Sequence, residues 1–304
     1  MTELIISAEP NWSAREAVLA GAPAPLHGTL TLPAGDAACD GVLILAGSGP
    51  VDRDGNLPGA RNDSLKLLAE ALAARGVASL RVDKRGIGAS RAAGPSERDL
   101  RFATYVGDAA RWLARLREEE RIARTFIIGH SEGALVATMA VHHTAPTGLI
   151  LIAGAGTTAG STIRRQLVAA GLPAPLIARA DRTLAALARG ETVEDPPPRL
   201  ATLFRPSVQP YLISWLALDP VAELAGVAVP TLVIQGTTDL QVTLDDARLL
   251  AGARPGIALA PIEGMNHVLK TAPDGRAANL ATYADPTLPL APQLVPTIHD
   301  FLAR

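Results

Sequence analysis

Five residues, Gly129-His130-Ser131-Glu132-Gly133, lie directly behind the apolar run Thr125-Phe126-Ile127-Ile128 and directly ahead of Ala134-Leu135-Val136-Ala137-Thr138-Met139-Ala140. A serine flanked in this way, at a junction from strand to helix, has the pattern of a nucleophile elbow. The turn is so sharp that the serine takes a strained backbone conformation. The outer glycines are needed because strand and helix backbones pass too close for a Cβ. The chemistry implied is attack by the Ser131 hydroxyl on a carbonyl carbon, through an acyl-serine intermediate.

A serine hydroxyl is a weak nucleophile, so it needs a base within hydrogen-bond reach and a carboxylate that holds the base in one tautomer. The chain has six histidines. His130 is part of the elbow itself, with its side chain expected to point away from that of Ser131. His27 stands at the start of a predicted strand and His299 lies in a C-terminal helical stretch, so both read as surface or packing residues. His142 and His143 are neighbours on a helix and face directions about 100° apart, which prevents them from chelating one ion together. His267 differs, because it follows the strand-like stretch 256–262 in the loop Glu263-Gly264-Met265-Asn266-His267. It is the expected base.

The expected acid is Asp239, on the loop Thr237-Thr238-Asp239 at the end of the strand-like run Thr231-Leu232-Val233-Ile234-Gln235-Gly236. Asp219 precedes a proline, as turn residues often do, while Asp245 and Asp246 suit the first turn of a helix, where the dipole favours negative charge. The tetrahedral intermediate also needs two N–H donors aimed at its oxyanion. One is the amide of Glu132, next after the nucleophile. The second is assigned to the amide of Ser48 in Gly47-Ser48-Gly49-Pro50, which follows the early apolar strand 42–46, with Gly49 as the neighbouring alternative.

These residues require a scaffold. Predicted strands at 26–32, 42–46, 77–82, 126–128, 149–153, 232–235 and 257–262 alternate along much of the chain with helical stretches, which argues for an α/β fold with a mostly parallel sheet covered on both faces. The central strands are continuously apolar, as strands buried on both sides should be. Residues 65–74 place leucines 65, 68 and 72 on one helical face with Gly76 as a stop, and a second helix is expected over 99–120. Its run Glu118-Glu119-Glu120 reads as a solvated face. From 156 to 226 the alternation ceases. That stretch is rich in Ala, Leu and Arg, is interrupted by Pro173, Pro175 and Pro196-Pro197-Pro198, and contains Phe204, Tyr211 and Trp215. It is expected to form a helical cap between the two parts of a core at 1–155 and 227–304.

The order Ser131, Asp239, His267 and the motifs together resemble the α/β-hydrolase superfamily, and within it the bacterial serine aminopeptidase-like, or hydrolase 4, branch. The resemblance covers most of the chain. It rests on 47–56, on Asp83-Lys84-Arg85-Gly86-Ile87-Gly88-Ala89-Ser90, on 129–133, and on Gly264-Met265-Asn266-His267-Val268-Leu269-Lys270. It implies an α/β-hydrolase fold with a nucleophile at Ser131, an acid at Asp239, a base at His267, and carboxylesterase activity on a small-molecule ester. Serine aminopeptidase or thioesterase chemistry on the same triad are the alternatives. One departure is visible: many relatives have His-Gly after the third strand, where this chain has Ala46-Gly47.

Composition and the leftover motifs set bounds. Net charge is −2 in 304 residues of which 48% are hydrophobic, so a large core is expected and no nucleic-acid face is. No cofactor and no metal are expected. The lone cysteine, Cys39, excludes an internal disulfide and suits a reducing compartment. No run approaches the roughly 20 apolar residues of a membrane span, and residues 1–6 lack a basic, apolar leader pattern, so the expected location is cytoplasmic. Gly154-Ala155-Gly156-Thr157-Thr158-Ala159 fits a dinucleotide fingerprint, but residues 163–189 read as helical where the next strand and its acidic partner should follow. Glu132 is expected to pair with Arg53 or Arg85, or else to capture a substrate amine, and Asp52-Arg53-Asp54 to be a loop braced by internal ion pairs. A non-catalytic binding protein on the same fold is the rival from another class, disfavoured because all three triad candidates are present.

Overall fold

The sheet of the computed structural model, which describes residues 11–304, runs β1-β2-β4-β3-β5-β6-β7-β8. Its strands are β1 (Trp12–Leu19), β2 (Leu26–Pro33), β3 (Cys39–Leu45), β4 (Ala78–Val82), β5 (Ile122–His130), β6 (Gly148–Ile152), β7 (Thr231–Gly236) and β8 (Ala258–Ile262). Pairing is parallel from β4 through β3, β5, β6 and β7 to β8, while β1 and β2 form an antiparallel edge. This is the mostly parallel sheet expected from the alternating pattern, in the α/β-hydrolase arrangement that the resemblance implies.

The helices are α1 (Ser64–Ala73), α2 (Phe102–Arg117), α3 (Glu132–Thr144), α4 (Ala159–Ala169), α5 (Ala174–Ala188), α6 (Ala201–Phe204), α7 (Gln209–Leu216), α8 (Pro220–Ala225), α9 (Leu244–Ala251), α10 (Arg276–Ala281) and α11 (Leu294–Leu302). Period-two alternation divides the sheet between two cores. Leu43 and Leu45 face the side covered by α2 and α3, around Trp112 and Leu113. Val42 and Ile44 face the side covered by α1 and α11, around Leu68, Leu72 and Ile298. Burial of each such leucine contributes about 1.5–3 kcal/mol, which explains why these strands are apolar on both faces. A third apolar cluster, with Phe204, Leu184, Leu187 and Leu200, belongs to the helices between β6 and β7.

The structure corrects several sequence expectations. β1 is an additional strand: it lies at the sheet edge with Ser13, Ala14, Arg15 and Glu16 exposed and only Ala17 buried, so it lacks the apolar run that marks the central strands. His27 lies inside β2, where Nδ1 is 2.8 Å from Glu16 Oε1 across the strand pair. The helix expected over 99–120 starts later, at Phe102 after a short 3₁₀ turn at Glu97–Asp99, and stops at Arg117. Its three glutamates lie just past the helix end, and Glu119 pairs with Arg15 of β1. The stretch 163–189 is two helices, broken at Gly171 (φ 74°) and Pro173. Among the described residues no helix is long and apolar enough to cross a membrane. The reading of residues 1–6 falls outside the described residues.

Candidate active site

β5 ends at His130 and α3 begins at Glu132, leaving Ser131 alone to reverse the chain with φ 56° and ψ −119°. A non-glycine residue at positive φ is strained, and such strain persists only where its surroundings enforce it. The surroundings here are backbone. A Cβ on Gly129 would lie 2.2 Å from the carbonyl oxygen of Gly133, and one on Gly133 would lie 2.5 Å from that of Leu45. The amide of Ser131 donates to the carbonyl of Ile152 at 2.9 Å, pinning the turn to β6.

Asp239 and His267 come together from the ends of β7 and β8. Nδ1 of His267 and Oδ2 of Asp239 are 2.8 Å apart, and the two side chains are 7% and 1% exposed. A carboxylate only accepts, so Nδ1 carries the proton and Nε2 is left as the ring's acceptor. The rest of the Asp239 carboxylate is fully engaged: Oδ1 accepts from the amides of Gln241 (2.7 Å) and Val242 (3.0 Å), and Oδ2 also accepts from Nε2 of Gln235 (3.1 Å). Burial works to raise the pKa of Asp239, but His267 and these donors outweigh it and hold the carboxyl below its ordinary range. Among the described residues Ser131 and His267 share no hydrogen bond; such bonds are often long in resting enzymes and tighten with substrate.

The loops bearing Asp239 and His267 are fastened to each other. Gly236 has no side chain because a Cβ there would lie 2.0 Å from the carbonyl of Met265. The Thr238 amide donates to that same carbonyl at 3.1 Å. Asn279, on α10 and fully buried, donates to the Thr238 carbonyl at 2.8 Å and accepts from Asn266 at 3.2 Å, so one side chain spans both loops. Asn266 in turn donates to Thr282 (2.7 Å) and accepts from the amides of Val268 and Lys270, each at 3.2 Å. Sequence reasoning gives neither asparagine a role. The only signal is the adjacency of Asn266 to His267.

His130 is also more than a turn residue. Its ring lies 4.9 Å from that of His267, centroid to centroid, and its Nε2 is 2.8 Å from the His267 carbonyl oxygen. A carbonyl only accepts, so Nε2 is the protonated nitrogen of a neutral ring. Burial first, and then the neighbouring His267, push the His130 pKa down to about 3.

On the other side of Ser131 lies the loop after β3. A Cβ on Gly47 would be 3.0 Å from Cβ of Ser131 and 3.5 Å from its Oγ, so this backbone passes directly beside the serine. Ser48, next in the chain, is exposed. The side chain of Glu132 does not pair with Arg53 or Arg85. It accepts from the Tyr211 hydroxyl of α7 at 2.5 Å, and its other oxygen is 3.8 Å from Nζ of Lys84. Arg53 is committed to Asp83, with Nη2 at 2.7 Å and Nε at 3.0 Å from Oδ2, and Arg85 to Asp108. The Asp52-Arg53-Asp54 loop is braced, though not by internal ion pairs: Asp52 accepts from the amides of Asp54 and Asn56, and Asp54 pairs with Arg81 of β4.

The other aspartates have local duties. Asp219 caps α8 by accepting from the amides of Val221 and Ala222, and Asp245 pairs with Arg248 on the surface of α9. Asp246 is buried, pairs with Arg165 at 2.6 Å, and accepts from the Gly156 amide at 3.1 Å. A Cβ on Gly156 would lie 2.2 Å from the Asp246 carbonyl. The glycine loop that suggested a dinucleotide is thus occupied by the first turn of α9, which overturns that reading.

Residues 62–195 match the family described as Serine aminopeptidase, S33. Esterase EstD of Thermotoga maritima is 25% identical over 248 residues, covering 80% of this chain, and the match spans 58% of the length of that relative. Among solved structures, Est1E of Butyrivibrio proteoclasticus with ferulic acid bound superposes with a TM-score of 0.63 at 15% identity, covering 95% of this chain and 100% of the other. The enol-lactonase of Burkholderia xenovorans LB400 gives 0.56 at 21% identity, with 95% and 100% covered. Its sheet order, its strained serine turn and these likenesses give the chain the α/β-hydrolase fold.

Proposed function

We propose that the protein hydrolyses small carboxylic esters, with Ser131 as nucleophile, His267 as base, Asp239 as the acid that orients it, and the amides of Ser48 and Glu132 as the oxyanion hole. The observation that carries this reading is the buried 2.8 Å hydrogen bond between Asp239 and His267, formed at the same sheet edge as a serine held at φ 56°. Ser131 Oγ attacks the ester carbonyl while Nε2 of His267 takes its proton. The imidazolium is stabilised by Asp239, and the negative charge that develops on the carbonyl oxygen is received by the two amides. His267 returns the proton to the departing alcohol, and water then repeats the sequence on the acyl-serine to release the acid.

The helices at 156–226 are read as a cap over a core formed by 1–155 and 227–304. The bond from Tyr211 on α7 to Glu132 at the elbow supports a cap lying at the catalytic edge. An ester is favoured over an aminoacyl amide by the state of Glu132. A carboxylate that is to receive a substrate ammonium must be free, whereas this one accepts from Tyr211 and has the Lys84 cation beside it. The similarity to a relative named an esterase points the same way. The proposed location is the cytoplasm, and the lone cysteine is consistent with it.

A fluorophosphonate probe and a panel of p-nitrophenyl esters, thioesters and aminoacyl anilides on one preparation test the reading. Covalent labelling and ester turnover are expected, and Ser131→Ala should abolish the label and lower kcat by roughly 10⁴-fold or more. Turnover of anilides without esters would establish a peptidase, and folded wild type that neither labels nor turns over would establish a binding protein.

A further inference from the structure

The Lys84 side chain is 11% exposed and follows β4. Its Nζ donates to the carbonyls of Gly47 (2.5 Å) and Gly49 (2.8 Å), the residues on either side of Ser48. The third side of the ammonium faces Glu132 at 3.8 Å and the ring of Tyr105 at 5.6 Å. Burial pulls its pKa below the ordinary lysine range and Glu132 opposes the shift.

The Gly47 carbonyl and the Ser48 N–H belong to one peptide unit. In a trans peptide the two groups point in opposite directions, so a carbonyl held toward Lys84 turns the amide hydrogen the other way. A cation on the carbonyl oxygen also polarises the unit and strengthens its N–H as a donor, the usual cooperativity of linked hydrogen bonds. Gly47 lies against Ser131, so the amide so aimed is close to the nucleophile.

We propose that Lys84 is the positioning residue of the oxyanion hole, gripping the carbonyls of Gly47 and Gly49 so that the Ser48 amide is fixed and polarised toward the charge that develops on the substrate. This rests on the ester hydrolase reading above and adds to it a group that acts through the backbone. The consequence is specific: Lys84 matters to the transition state and little to substrate binding.

The test compares wild type with Lys84→Met, Lys84→Gln and Lys84→Arg, using p-nitrophenyl acetate and a trifluoromethyl ketone, whose adduct with a serine carries an oxyanion. In Lys84→Met, kcat is expected to fall about 10- to 100-fold with KM changed less than about threefold, and the ketone Ki to rise by the factor lost in kcat. Lys84→Arg, which keeps the charge, recovers most of the loss. A folded Lys84→Met with wild-type kcat and Ki overturns the proposal, as does a loss confined to KM. Should Lys84→Met not fold, Lys84→Gln decides, since it keeps a donor without the charge: lower kcat with raised Ki supports the proposal and wild-type values overturn it. A wild type that turns over no ester and takes no label at Ser131 refutes the hydrolase reading itself, a result distinct from an active wild type indifferent to Lys84.

Discussion

Replacing His130 by glutamine isolates the energetic consequence of a neutral imidazole buried beside the candidate base. The folded ring is held at a pKa of about 3 against 6.5 for the free side chain. Above pH 6.5 the ring is neutral in both folded and unfolded chains, and its contribution does not vary. Below that the unfolded chain takes up a proton that the folded chain refuses, so stability falls with pH through the window from 6.5 down to about 3. For one site with these two values the loss between pH 8 and pH 5 is about 2 kcal/mol. A glutamine in its place would retain an Nε2 donor for the His267 carbonyl and would not titrate. Urea denaturation of wild type and His130→Gln at pH 8 and pH 5 reads the effect, as a wild-type stability that drops by about 2 kcal/mol more than that of the variant. Asp239, held low when folded, also loses stability as pH falls, but it does so in both proteins and cancels in the difference. Parallel pH dependence in the two proteins would refute the argument, because it would mean that His130 is solvated or shares its proton freely.

Gly133→Ala should be poorly tolerated, since its methyl would meet the carbonyls of Leu45 and Ala46 at 2.5 and 2.7 Å. Both obstacles are backbone of β3 and the loop beyond it, so a loss of about 3 kcal/mol is expected, visible as a fall in Tm of roughly 5 °C or more with reduced labelling of Ser131. Asp239→Asn keeps the size of the side chain but can offer an amide where His267 needs an acceptor, and kcat should fall by about 10⁴-fold with KM little changed. Ester kinetics on the folded variant check this, and a loss below about tenfold would remove Asp239 from the proposed triad.

The parts of the molecule readable from sequence are those in which local pattern and environment coincide. Strands β3, β5, β6 and β7 are buried on both faces over most of their length and carry apolar runs such as Val42–Leu45, Phe126–Ile128, Leu149–Ile152 and Leu232–Ile234, whereas β4 is as buried but includes Ser79 and Arg81. β1 is not, and its mixture of Ser, Arg, Glu and Val carries no such mark. The elbow is legible because its glycines are demanded by backbone crowding within five residues. By contrast, the attachments of Glu132 depend on Lys84 and Tyr211, residues 48 and 79 positions away that share no local spacing with it. Arg53 and Arg85 are plausible partners by charge alone, yet Asp83 and Asp108 engage them directly and leave neither for Glu132. The packing of His130 on His267 is hidden for the same reason, since the fold brings the ends of β5 and β8 to one edge while the sequence keeps these residues 137 positions apart.

The two margins of the sheet carry a consequence for self-association. At one margin, β1 exposes Arg15 and Glu16 on its two faces, charged groups that a second ribbon would have to strip of water. At the other, the carbonyl of Ile262 is turned inward to the amide of Thr237, which leaves Pro261 directed outward with no hydrogen to offer. An incoming strand would find charge at one flank and a missing donor at the other. Among the described residues, therefore, each margin carries a feature that disfavours the addition of a further strand.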